Sequence, residues 1–96
     1  MAVDPMKRRC AWLLWNGYEA AGREDVILLD GAAAEAAAMP TGTHEHRVCM
    51  YHLEAMGAIV EEPVQVGIIG GFTPYRITEQ GFALLREVGY PSERFF

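Results

Sequence analysis

Serine is close to absent: Ser92, near the C-terminal end, is the only one in 96 residues. A Ser–His–Asp relay needs its nucleophile on a rigid scaffold beside a base, so that chemistry has no seat here. Cysteine is scarce too. Cys10 and Cys49 are the only two, both in helical patterns, which predicts buried, reduced thiols rather than a disulfide framework. No apolar run approaches the ~18–20 residues of a membrane span. The basic N-terminus lacks the uninterrupted apolar stretch and small-residue cleavage site of a secretory signal, so a cytosolic protein is expected. Gly67, Gly70 and Gly71 are followed by no Lys-Ser/Thr pair and open no helix, which excludes a phosphate-binding loop. Glu61 and Glu62 are adjacent on an extended stretch and point to opposite faces, unlike a working acid–base pair. A protein without catalysis and without a cofactor is the expectation.

Basic residues are also in deficit. Eight Lys and Arg face thirteen Asp and Glu, for a net charge of −5 and a pI near 5.0; this argues against constitutive, nonspecific coating of nucleic acid. The imbalance is uneven. Residues 1–23 hold Lys7, Arg8, Arg9 and Arg23 against Asp4 and Glu19, whereas residues 24–96 hold four Arg against eleven acids. What the chain has in quantity is apolar surface: 51% of its residues are hydrophobic, with two Trp, four Tyr and four Phe. That content in so short a chain builds one core and no second. Residues 1–96 are therefore expected to form a single domain with 91–96 as a short tail, needing no metal or disulfide staple.

Asp4-Pro5 opens a helix, since Asp caps and Pro suits the first turn. Met6, Cys10, Leu13, Leu14, Gly17 and Ala21 then recur at helical spacing, predicting an amphipathic helix over residues 5–22 that Gly22 ends. Asp25 to Asp30 encloses a β-prone run and predicts a strand. Ala32 to Met39 is nearly all Ala and predicts a short helix stopped before Pro40. Thr43 caps a third helix reaching Met56, with Gly57 as its stop and Val48, Cys49, His52, Leu53 and Met56 as its buried stripe. Ala58 to Val66 reads as extended, Gly67 to Gly71 as a turn, and Phe72 to Ile77 as the returning strand. Thr78 caps a last helix through Val88, closed by Gly89. This is the order of an α+β winged helix-turn-helix: a three-helix core, a β-hairpin wing and a C-terminal helix.

Two segments sharpen that reading. Tyr51-His-Leu-Glu-Ala-Met-Gly-Ala-Ile59 has the form of a recognition helix running into a wing strand. Tyr75-Arg-Ile-Thr-Glu-Gln-Gly-Phe-Ala-Leu-Leu85 has the strand, Thr, helix turn, Gly, Leu exit of many bacterial winged-helix proteins. With Met6-Lys-Arg-Arg9 near the start, the chain resembles DUF2513, a family of small uncharacterised bacterial and phage proteins, over residues 6–12 and 47–88. Residues 24–46 are richer in Ala than that pattern. The resemblance implies a winged-helix fold and a bacterial or phage setting, and it implies no activity.

In winged-helix proteins the third helix usually enters the DNA major groove. Opposite its predicted core stripe lie His44, Arg47, Met50, Tyr51 and Glu54. Arg47 suits a guanine edge or a phosphate, and His44 and Tyr51 suit phosphate contacts; Arg76 is the basic residue of the wing. These residues make a DNA-binding transcriptional regulator of phage or prophage type the first expectation. It would act as a dimer that doubles Arg47 and the Lys7-Arg8-Arg9 cluster. The opposing signals are Glu45 and Glu54 on the helix and a balance of two Arg against five Glu over residues 40–80.

The apolar, Gly-rich wing tip, by contrast, suits a protein partner. So does the first helix, where Trp12 and Trp15 fall beside Arg8 opposite the inward stripe, because Trp and Arg dominate binding hot spots. The alternative expectation is therefore an acidic protein-protein interaction module, such as a phage-encoded inhibitor of a host defence machine, or a homodimer. It would use Arg8, Trp12, Trp15, Ile68, Ile69 and Phe72. Covering of the two Trp by Phe95 and Phe96 or by the second element is the intramolecular alternative. His44, His46, Cys49 and His52 lie within nine residues, but steps of three drift round a helix and no second Cys pair completes a ligand set, so no metal site is predicted. His52 is expected in the core with a satisfied hydrogen bond.

Overall fold

A computed structural model describes residues 4–62 and 73–90. Within them the elements run α1 (Pro5–Ala20), β1 (Val26–Leu28), α2 (Ala32–Ala36), α3 (His44–Ala55), β2 (Ile59–Glu61), β3 (Pro74–Ile77) and α4 (Glu79–Val88). The fold is α+β, and the element order is the predicted one. The predicted turn over residues 67–71, the tail, and the outer part of each wing strand lie outside the described residues.

The helix starts follow from their caps. The Asp4 carboxylate accepts the Met6 N–H at 3.1 Å, the Thr43 hydroxyl accepts the His46 N–H at 3.3 Å, and the Thr78 hydroxyl accepts the Gly81 N–H at 3.2 Å. Each satisfies one amide that the first turn leaves without a carbonyl.

All four helices end in one motif. Just past each helix end one residue donates its N–H five residues back: Arg23 to Tyr18, Met39 to Ala34, Ala58 to Leu53 and Tyr90 to Leu85. The residue before it must turn left-handed. In three helices that residue is glycine, but α2 uses Ala38 at φ 61°. This is why α2 stops after Ala36 instead of running to Met39: turning at Ala38 buries the Met39 side chain, and that gain outweighs the helical preference of two more alanines. For the same reason α1 ends at Ala20, ahead of the left-handed Gly22 and Arg23.

The three strands form one antiparallel sheet with β3 in the middle, in the order β1-β3-β2. The register pairs Val26 with Arg76 and Ile27 with Tyr75 on one side, and Ile59 with Ile77 and Val60 with Arg76 on the other. Alternation along the strands sends Ile27, Ile59 and Ile77 into the core. Val26, Leu28 and Val60 point outward and are 38–48% exposed.

The core gathers Cys10, Leu13, Leu14 and Tyr18 of α1 against the inward sheet residues, Leu53 of α3, and Phe82 and Leu85 of α4. Tyr18 meets Phe82 edge-on at 5.6 Å between ring centres. Gly17 lies where α1 crosses β1. A Cβ there would stand 2.6 Å from Leu29 Cδ2 and 3.0 Å from the Leu28 carbonyl oxygen, so only glycine lets the helix approach this closely.

The stripe of α3 differs from expectation in one respect. Cys49 and Leu53 are buried, but Val48, His52 and Met56 are only half-buried, and His46 is the histidine in the core. Its Nε2 lies 2.9 Å from the carbonyl oxygen of Leu29. A carbonyl only accepts, so Nε2 carries the proton. Leu29 is one residue past β1, and the histidine satisfies a carbonyl buried at the strand end.

Two substitutions of opposite sign test this account in urea titrations. Ala38→Gly should raise stability by ~0.5–1 kcal/mol, because glycine adopts the left-handed conformation without a Cβ clash. Gly17→Ala should lower it by ~1–3 kcal/mol through overpacking against Leu29 and the β1 backbone. Equal effects of the two changes would contradict it.

Candidate interaction site

The outward face of α3 carries His44, Arg47, Tyr51 and Glu54, all exposed, Tyr51 to 70%. Met50 does not join them. It is half-buried and packs against the core, because a helix of this diameter wedged between α1 and the sheet has little more than one side free. Tyr51 meets the His52 ring edge-on at 5.6 Å. Glu45 and Glu54 are exposed on the same helix, so the cation Arg47 stands in a field of carboxylates.

Arg76 is on the outer face of β3, opposite Val26 and Val60, and it is not free. Its Nε lies 2.9 Å from one Glu62 oxygen and its Nη2 lies 2.7 Å from the other, a two-pronged carboxylate clamp. The guanidinium holds the Glu62 carboxyl below the usual carboxylate range. A phosphate approaching the Nε–Nη2 edge of Arg76 would compete with this carboxylate. Ile68, Ile69 and Phe72, placed at the wing tip by sequence, lie outside the described residues.

A second cluster forms along α1. Trp12 and Trp15 stack against the ring of Tyr90, at 6.0 and 5.4 Å between centres and with planes 29° and 13° apart. The Arg23 guanidinium lies 5.4 Å from the Trp15 ring centre, itself tied to Glu19 at 3.0 Å. Trp12 remains 39% exposed, and Arg8 is exposed one helical turn before it. The result is an aromatic strip with a guanidinium at each end.

Tyr90 and Arg23 belong to this strip and were missed from sequence. A signal for Tyr90 existed: the residue after a left-handed helix stop commonly makes an apolar contact back toward its helix, as Tyr90 does after Gly89. Coverage of the Trp pair by Phe95 and Phe96 falls outside the described residues. Coverage by Tyr90 is partial.

The sulfur atoms lie in the core, away from both surfaces. Cys49 Sγ is 3.5 Å from Met39 Sδ, and Cys10 Sγ is 3.9 Å from the Cys49 carbonyl oxygen. A hydrogen bond to Cys49, together with burial, holds the Cys10 thiol well above its ordinary pKa. Among the described residues no three His, Cys, Asp or Glu side chains converge where a metal ion could sit, and no helix is long and apolar enough to cross a membrane.

No family model matches the chain, and neither the curated proteins nor the solved structures give a match.

The thiols provide a direct check of this geometry. In the native protein both cysteines should react with iodoacetamide at least ~10-fold more slowly than in urea, since alkylation requires an exposed thiolate. Fast native labelling at either position would show that the α1–α3 contact is open.

Proposed function

We propose that this chain is a non-catalytic binding module of winged-helix type that docks on another protein through the aromatic strip of α1. The winged-helix reading is supported by the order of helices and strands, by the antiparallel pairing of β2 with β3 that follows α3, and by the segments that resemble DUF2513. The choice of a protein partner is carried by one observation. The clamp of Glu62 on Arg76 offsets the charge that one of the two arginines in residues 40–80 presents to phosphate.

Duplex affinity grows with the number of phosphates neutralised, each contributing ~0.9 to the salt slope. Arg47 alone supplies little, and Glu45 and Glu54 oppose it. The strip, by contrast, brings together Trp, Tyr and Arg, the residue types that dominate protein-binding hot spots. Its rings are already stacked, so less side-chain freedom is lost on docking.

A second reading, duplex DNA held by α3, is favoured by a separate observation. Arg8, Arg9 and Arg47 form no ion pair among the described residues, and a dimer would present two sets. The two readings divide on one set of variants. Light scattering over a concentration series, and capture of a purified partner, should be lost in Trp12→Ala and kept in Arg47→Ala. Duplex at low salt should show no gel shift at micromolar protein. If instead a shift appears and Arg47→Ala abolishes it, while Trp12→Ala and Trp15→Ala change neither mass nor capture, the protein-docking reading fails and the DNA reading replaces it. Glu62→Gln adds a signed check. Releasing Arg76 should increase duplex retention from its starting level by roughly one phosphate contact's worth of salt dependence, ~0.9 in slope.

A further inference from the structure

A groove of about 400 Å³ opens between the C-terminal end of α1, β1 and the start of α2. Its bed is made of methyl groups and short apolar chains: Ala20 at the end of α1 and Ala21 that follows it, Ala32 from α2, and Val26 and Leu28 from β1. Asp30 is the single charged residue in the lining. It is half-buried, and it makes no ion pair or side-chain hydrogen bond among the described residues. Neither of its carboxylate oxygens is both buried and unpartnered, so the group keeps contact with water and is open to a cation arriving from outside.

The neighbouring charges do not complete it. Arg23, which follows α1, is tied to Glu19, and Arg76 on β3 is clamped by Glu62. Residues 24–62 contain eight acids and a single cation, Arg47. Burial, then the charges of Glu54, Asp30 and Glu61, holds the Tyr75 phenol above its ordinary pKa. Asp30 therefore shares one negative field with two further carboxylates. The groove thus offers an apolar trough with an anion in its lining, inside an acidic half of the molecule.

We propose that this groove receives an arginine side chain carried by a segment of a partner protein, its aliphatic stem along the alanine bed and its guanidinium on Asp30. Arginine matches both halves of the site. Its stem covers apolar surface while its head stays polar, and its planar, weakly hydrated fork pairs with a carboxylate better than an ammonium does. The volume lies in the ~300–1,000 Å³ range of side-chain and ligand pockets, and a basic partner is drawn by the surrounding field. The site is separate from the Trp12–Tyr90–Trp15 strip and does not rest on it.

The test uses the full chain with labelled alanine methyl groups and three synthetic pentapeptides, Ac-Ala-Leu-Arg-Leu-Ala-NH₂ and its norleucine and glutamate counterparts at the central position. The arginine peptide should shift the methyl signals of Ala20, Ala21 and Ala32 in a saturable way. The norleucine peptide should bind about tenfold more weakly, as loss of one charge-assisted bond predicts, and the glutamate peptide should not bind. Asp30→Asn should erase the difference between arginine and norleucine. Ala20→Leu, at an exposed position, should fill the trough and abolish binding with the charge intact, and Trp12→Ala should leave binding unchanged. The proposal is overturned if the arginine peptide moves none of these methyl groups at millimolar concentration. It is equally overturned if Asp30→Asn binds that peptide as well as the unsubstituted chain, or if the shifts collect at Trp12 and Trp15 instead.

Discussion

The fold depends on a junction a few residues wide, where α3 ends, β2 begins, β3 ends and α4 starts. Thr78 serves all four. Its hydroxyl caps α4 through the Gly81 amide and donates to the Gly57 carbonyl, and its own N–H is given to the Ala58 carbonyl at 3.0 Å. One side chain thus fixes the left-handed stop of α3 to the first turn of the next helix. Gly81 closes the junction from the other side: a Cβ there would collide with the Ala58 carbonyl and with Ile77 Cγ2. With both ends pinned, the register of Ile59 against Ile77 follows, and a shift by one residue would turn the buried isoleucines outward. The orientation of α3 relative to the sheet, and so the display of Arg47 and Tyr51, is set here rather than by the helix itself.

What could be read in the sequence was what is local. Asp4, Thr43 and Thr78 cap because their side chains reach amides two or three residues away, and Gly22, Gly57 and Gly89 stop helices because the left-handed turn needs no other partner. Ala38 broke the pattern because a tertiary demand, burial of Met39, overrode an unfavourable backbone conformation. Two of the three histidines of α3 were exchanged for a similar reason. His46 and His52 both border the same helical stripe, and only the position of the Leu29 carbonyl, seventeen residues from His46 in the chain, decides which enters the core. The Glu62–Arg76 clamp spans fourteen residues across a hairpin whose register no local signal sets. Tyr90 was half-legible: its backbone role follows from Gly89, while its ring partners on α1 do not.

Three surface cations are tied to acids close by. Lys7 is bonded to Glu87 at 3.0 Å, Arg23 to Glu19 and Arg76 to Glu62. Exposed pairs of this kind contribute little to stability, of order 0–1 kcal/mol each, so their main physical consequence is on what the surface can attract. Each takes one cation and one acid together out of long-range view, and the remaining charges, Asp30 among them, set the field.

The length of α1 and its cap is divided into three kinds of surface. Cys10, Leu13, Leu14 and Tyr18 are committed to the core. Trp12 and Trp15 hold a stacked ring from beyond α4, joining first and last helices at the surface. Gly17, Ala20 and Ala21 have almost no side chain, and that deficiency creates the space beside β1. Gly17 is forced by the approach of Leu29, whereas a larger residue at the exposed Ala20 would bury more apolar area at a small cost in helix propensity. A helix under selection for stability alone would carry a longer side chain at Ala20 to cover Val26 and Leu28. Leaving those strand residues open is consistent with a surface shaped for an occupant rather than for water.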